Sequence, residues 1–216
     1  MKYLVLAVAL AWLISAPAQA NPSQKYALPG VLTLELVPGA HFKNTGWFLV
    51  FPFTKGPQMA AWIEDDQGTY VATIFVTKKA EIRPESLPVW SHRPGRPTAI
   101  DAVSAATTVE SVDKTGPSVD VTAGKYKVFL EVNLSYDWNR VWAQNLPVTD
   151  VHYNGVNGQP SLVYGAQISV GQGASVTAMA PWGIGSATGL DGAMNPSVGM
   201  DTALQILDSA KVSVVR

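Results

Sequence analysis

Met59-Ala-Ala-Trp-Ile-Glu64, Asp65-Asp-Gln-Gly68 and Thr69-Tyr-Val-Ala-Thr-Ile-Phe-Val76 are consecutive pieces of one β-hairpin. Two runs rich in β-branched and aromatic residues flank a short polar loop, and Gly68 can take the positive φ that such a loop demands. Downstream, Lys125-Tyr-Lys-Val-Phe-Leu-Glu-Val-Asn-Leu-Ser135 alternates almost strictly. Tyr126, Val128, Leu130, Val132 and Leu134 fall on one face, as in a strand with one buried side. It follows the turn Ala123-Gly124 and is predicted to be a central strand. Trp62 and Tyr126 are both expected to point inward, against a shared core. Upstream, Val31-Leu-Thr-Leu-Glu-Leu-Val37 alternates in the same way. Further strands are predicted at Phe48 to Phe53, Val119 to Val121, Leu162 to Val170 and Lys211 to Val215. Only Asp201 to Ala210, with Ala203, Leu204, Ile206 and Leu207 at helical spacing, reads as a helix.

Many short strands joined by turn-rich connections predict an all-β fold, an antiparallel immunoglobulin-like β-sandwich, with a small barrel as the alternative. No repeat or linker divides the chain. The tracts Lys79 to Thr98 and Gly173 to Ser197 read as long loops, which on a rigid scaffold are common places for function.

Composition narrows the function classes. The 216 residues contain no cysteine, so there is no disulfide, thiolate metal site, iron–sulfur cluster or c-type haem attachment. With 15 Lys+Arg against 16 Asp+Glu and no basic run, no nucleic-acid partner is expected. Residues 1–20 have the pattern of a secretory signal peptide: Lys2, the apolar Tyr3 to Ile14, and the small residues of Ala18-Gln-Ala20. The apolar stretch is shorter than the about 20 residues a spanning helix needs and is interrupted by Ser15 and Pro17. The expected product is a periplasmic protein that begins at Asn21, does not span the membrane, and forms one sandwich domain over residues 21–216. N-terminal sequencing of exported protein checks this, and retention of Met1 would contradict it.

Catalytic and metal signatures are sparse. His41, His92 and His152 lie far apart without the short-range partners of local metal motifs, so no metal is expected. Asp65-Asp66 reads as turn chemistry. The chain has no nucleophile elbow, Walker loop or dinucleotide fingerprint, and no nucleophile, base and orienter can be named together, so an enzyme is not expected. Trp90, Trp138, Trp142 and Trp182 fall near loops, where tryptophans either cover the ends of a sandwich or form platforms for sugars and flat rings.

One segment stands out. Asp101-Ala-Val-Ser104-Ala-Ala106-Thr107 resembles the acceptor sequence of bacterial flavin transferases: Asp, two variable residues, Ser or Thr, Gly, Ala, then Thr or Ser. Asp101, Ser104, Ala106 and Thr107 match, while Ala105 replaces the usual glycine, whose backbone freedom alanine lacks. The resemblance implies FMN joined through its phosphate to the Thr107 hydroxyl, with Asp101 and Ser104 shaping the segment. The competing reading is a strand edge and turn in which Asp101 and Ser104 satisfy backbone donors.

More widely, the order of Ala60-Ala-Trp-Ile-Glu-Asp-Asp-Gln-Gly-Thr-Tyr-Val71, Leu87-Pro-Val-Trp90, Asp101 to Thr107 and Thr122-Ala-Gly-Lys-Tyr-Lys-Val128 resembles the periplasmic family catalogued as domain of unknown function 2271. The resemblance covers about residues 31 to 170. It implies a small immunoglobulin-like sandwich with no established activity, from systems that also hold flavin-transferase and haem-reducing membrane proteins. The expected role is a binding or accessory module, partnered by a periplasmic or inner-membrane redox protein. A covalent FMN carrier is the alternative.

Overall fold

The computed structural model describes residues 30–48, 51–96, 103–105 and 118–215. The expected signal peptide, Asp101 and Thr107 lie outside these residues. Among the described residues there are twelve strands: β1 (Gly30–Pro38), β2 (Asn44–Phe48), β3 (Phe51–Lys55), β4 (Gln58–Asp65), β5 (Tyr70–Thr77), β6 (Val103–Ala105), β7 (Ser118–Val121), β8 (Gly124–Asn133), β9 (Leu162–Val170), β10 (Ser175–Ala178), β11 (Ala180–Ile184) and β12 (Leu207–Val215). They form a four-stranded sheet in the order β10-β12-β1-β7, a six-stranded sheet in the order β11-β9-β8-β4-β5-β6, and the separate ribbon β2-β3. The two larger sheets face each other across one core containing Leu32 and Leu34 of β1, Ile63 of β4, Val128 and Leu130 of β8 and Val212 of β12. This is the expected all-β sandwich.

The hairpin forms as its sequence requires. Asp65 Oδ1 accepts from Gln67 N at 3.0 Å and from Thr69 N at 2.8 Å, and Gly68 has φ +83°. The strand β8 lies inside its sheet, between β4 and β9, and Tyr126, Val128, Leu130, Val132 and Leu134 all face the inter-sheet core.

Trp62 and Tyr126 do not share a core, contrary to the sequence reading. The β4–β8 register sets Trp62 opposite Phe129 and Ile63 opposite Val128, and directly opposed residues lie on the same face of a sheet. Trp62 therefore joins Phe129 on the outer face, while Tyr126 looks inward. That outer face is dry: a second cluster buries Ala60, Trp62, Val76, Ala80, Leu87, Val89, Trp90, Phe129 and Val163.

The covering follows from topology. The strands β5 and β6 pair in parallel, Phe75 with Val103 and Val76 with Ser104. A parallel pair needs a long crossover connection. This crossover includes the helices α1 (Lys78–Ile82) and α2 (Pro88–Ser91), with the 3₁₀ turn Pro84–Ser86 between them, and it lays Ala80, Leu87, Val89 and Trp90 on the sheet. The tract read as a loop is thus a structured cap.

Three other boundaries shift. The run Phe48 to Phe53 divides into the ends of β2 and β3, which pair with each other. Within Gly173 to Ser197 lie β10 and β11. The expected helix at Asp201 to Ala210 is only a 3₁₀ turn, Thr202–Gln205, before β12 begins. Ala203 and Ile206 are buried by that turn, whereas Leu207 and Ala210 are buried by the strand. Two short elements in sequence imitate one helical period.

Candidate functional site

At the end of β8 the chain makes an unusual turn. Tyr136 has φ +68°, a region that bulky residues seldom occupy and that costs about 1–3 kcal/mol. Its neighbours hold it there: Tyr136 N donates to Val156 O at 2.7 Å, and Asn44 Nδ2 donates to the carbonyls of Tyr136 at 2.9 Å and Ser135 at 3.2 Å. Asn44 opens β2, so the small β2-β3 ribbon is the brace for this turn.

The strained backbone aims the tyrosine ring into a cluster. Phe53 and Tyr136 have ring centroids 5.8 Å apart at 50°, and Tyr136 meets Trp138 at 5.4 Å and 66°. Phe53 lies across the ribbon over Gly46, where a β-carbon would come within 2.5 Å of its ring. Trp138 is fixed by Nε1 donating to Gly155 O at 3.3 Å. Asp137, between the two aromatic residues, points away and accepts from Thr202 Oγ1 at 2.5 Å, and burial raises its carboxyl above the usual range. Together Asn44, Thr45, Gly46, Phe53, Tyr136, Trp138 and Gln144 line an open cleft of about 420 Å³. That size is typical of small-molecule sites, about 300–1,000 Å³.

Cations lie beside the cleft. Lys55 Nζ is 3.7 Å from the Tyr136 ring centre and 4.9 Å from that of Phe53, a cation–π arrangement. Lys79 of α1 reaches Ser135 Oγ at 3.4 Å; burial first, then the charges of Lys55 and Arg83, hold its ammonium below the usual lysine range. A larger depression of about 520 Å³, around Asp66, Lys125, Lys127, Gln167 and Ser169, has Tyr126 as its one aromatic wall, and that hydroxyl is committed to Thr122 O at 3.0 Å.

The capped outer face contains buried charge. Glu131 is fully buried, its carboxylate accepting from Val89 N at 3.2 Å, Trp90 N at 2.7 Å and Ser161 Oγ at 2.5 Å. Burial nevertheless raises its pKa to about 7. Glu64, also buried, receives Arg93 through two hydrogen bonds of 2.5 and 3.0 Å and the Trp62 indole at 2.8 Å. These groups tie α2 and the chain after it to the sheet. Their hydrogen bonds are to one another and to the cap backbone, which makes them fastenings of the cap.

At the sheet margin, Trp182 sits directly on Gly165, where a β-carbon would be 2.2 Å from the indole, and meets Phe129 edge-on at 5.4 Å. Gly165→Ala should displace the indole, giving a red-shifted tryptophan emission and a loss of about 1–3 kcal/mol in urea denaturation. An unchanged spectrum would contradict the packing.

The sequence-level candidates are placed as follows. Ser104 lies on β6, at the edge of the six-stranded sheet among the described residues, with its backbone opposite Val76. Asp101 and Thr107 lie outside the described residues. Trp90 and Trp142 are buried, covering the fold, while Trp138 is partly exposed in the cleft and Trp182 is exposed at the margin. His92 Nδ1 lies 3.0 Å from Pro88 O and His152 Nδ1 lies 3.3 Å from Asp150; among the described residues no group of three His, Cys, Asp or Glu side chains is placed to hold a metal. Sequence reasoning flagged Trp138 alone of the cleft. Asn44 and Phe53 come from a distant segment, and for Tyr136 the available signal was the aromatic pair in Tyr136-Asp-Trp138 just past a strand end.

Among the described residues no helix is long and apolar enough to cross a membrane. Comparison with curated proteins and with solved structures finds no match. A family model described as a predicted periplasmic protein, DUF2271, matches residues 53–161, half of the chain, from Phe53 through the whole cap and β8 to Trp138 and beyond. That description names no flavin or redox partner. The chain belongs to this family of predicted periplasmic proteins, domain of unknown function 2271.

Proposed function

We propose that the protein is a periplasmic binding or accessory module, without catalytic machinery of its own, whose ligand occupies the cleft of Phe53, Tyr136 and Trp138. The observation that carries this reading is the strained Tyr136, held at φ +68° by Asn44 and Val156 so that its ring walls the cleft. Backbone strain of this kind persists where the surroundings impose it, and it clusters at ligand sites. Family membership supports the compartment, and the leader pattern of residues 1–20 supports export.

A role in an extracytoplasmic redox system, with covalent FMN on Thr107 as the second reading, rests on the resemblance of Asp101 to Thr107. Among the described residues β6 is at the edge of the six-stranded sheet, and in sequence Thr107 is two residues beyond it. One experiment separates the readings: native mass spectrometry of protein exported in its host and purified without denaturation. The binding-module reading expects a bound mass that is released on denaturation and is absent in Trp138→Ala. A flavin mass that survives denaturation and disappears in Thr107→Ala would replace it with the FMN carrier. Bare protein throughout would contradict both.

A further inference from the structure

We infer that the ligand of this cleft is a neutral saccharide; the inference rests on the binding-module reading and names its substrate class. The lining combines three aromatic rings with two carboxamides and a hydroxyl, and no charged side chain belongs to it. Aromatic rings offer apolar faces to the C–H face of a sugar. Carboxamides and hydroxyls both donate and accept, which matches sugar hydroxyls that do the same. Several such groups are uncommitted among the described residues. Asn44 uses its Nδ2 on Ser135 O and Tyr136 O, leaving Oδ1 as an acceptor, while Tyr136 OH, Thr45 Oγ1 and the Gln144 amide have no protein partner there.

The alternatives fit less well. A cationic ligand would meet a like charge at the rings, because Lys55 Nζ lies 3.7 Å from the Tyr136 centre. An anion would have Lys55 beside the cleft to pair with, but that ammonium already lies against the Tyr136 and Phe53 rings, and no charged side chain is in the lining itself. A flat aromatic molecule needs near-parallel walls, whereas adjacent rings here are inclined at 50° and 66° and would leave the amides without partners. Inclined walls instead suit a puckered ring, and an open cleft of about 420 Å³ leaves room for a short oligosaccharide to extend outward.

The test is isothermal titration of the full mature chain with neutral trisaccharides (maltotriose, cellotriose and tri-N-acetylglucosamine), with trigalacturonate and 2-naphthol as the charged and flat comparators. At least one neutral trisaccharide should bind. Its affinity should fall roughly tenfold or more in Trp138→Ala and about fivefold in Gln144→Ala. Gln144 is exposed, so that variant should melt like the parent and remain informative if Trp138→Ala fails to fold. Binding of trigalacturonate or 2-naphthol alone, lost in the same variants, would overturn the saccharide assignment and leave the cleft as the site. Saccharide binding that neither variant weakens would overturn both. Failure of every probe to bind would overturn the saccharide assignment, with the native mass experiment deciding the cleft separately.

Discussion

Trp62→Ala should destabilise the protein by about 3–5 kcal/mol, the range for removing a large buried aromatic. The indole is fully buried and stacks on Phe129 at 5.0 Å and 10°. It also donates to Glu64 Oε1 at 2.8 Å. Its removal empties the middle of the layer between sheet and cap, and it takes one hydrogen bond from a buried carboxylate that Arg93 must then satisfy alone. Trp62→Phe retains part of the stack and loses the hydrogen bond, so it should cost less. Urea denaturation of both variants checks the order. A Trp62→Ala protein as stable as the parent would show that the capped face is not a second core.

The second large effect is a dependence of stability on pH. Glu131 has its pKa raised from 4.5 to about 7, chiefly by burial, against the downward pull of Ser161, Trp90 and Val89 as donors and of the Arg93 charge. Between those values the native protein holds a proton that the unfolded chain has released. The contribution is therefore complete below the unfolded pKa of 4.5 and is lost as pH rises through about 7. A shift of this size corresponds to about 3 kcal/mol. Asp137, also raised by burial, acts with the same sign. Urea midpoints should fall between about pH 5 and about pH 8 in the parent, and most of that slope should vanish in Glu131→Gln. At about pH 5 the variant should be somewhat less stable than the parent, because Val89 N and Trp90 N donate to different oxygens of Glu131 and the amide puts an NH2 in place of one of them. An unaltered slope in Glu131→Gln would place the titration elsewhere.

These two residues also show what was legible in the sequence. The inward row from Tyr126 to Leu134 could be read because strand alternation has period two and does not depend on distant residues. The same rule assigned Trp62 to the core shared with Tyr126, and it could not show that Glu131, on the other face of its strand, is buried. Both have one cause: the parallel β5–β6 pair sends its connection across the outer face, and periodicity within a strand carries no information about what covers it. The helix expected near Leu207 fails because a 3₁₀ turn and a strand happen to adjoin. For the cleft, Trp138 could be flagged from its place past a strand end, but Asn44 and Phe53 lie far from it in the chain, and only folding brings the ribbon against Tyr136. The Asp101 to Thr107 segment shows the converse, a local motif whose meaning depends on surroundings that the motif does not specify.

The central claim is that ligand enters between Phe53, Tyr136 and Trp138, and the indole N–H resonances of the tryptophans test it most directly. The ¹⁵N-labelled mature protein should be titrated with the small-molecule fraction of a periplasmic extract. The account predicts that the Trp138 resonance moves with saturation, while those of the buried Trp62, Trp90 and Trp142 stay in place. A Trp138 resonance that stays fixed while that of Trp182, at the far margin of the sheet, moves would contradict it.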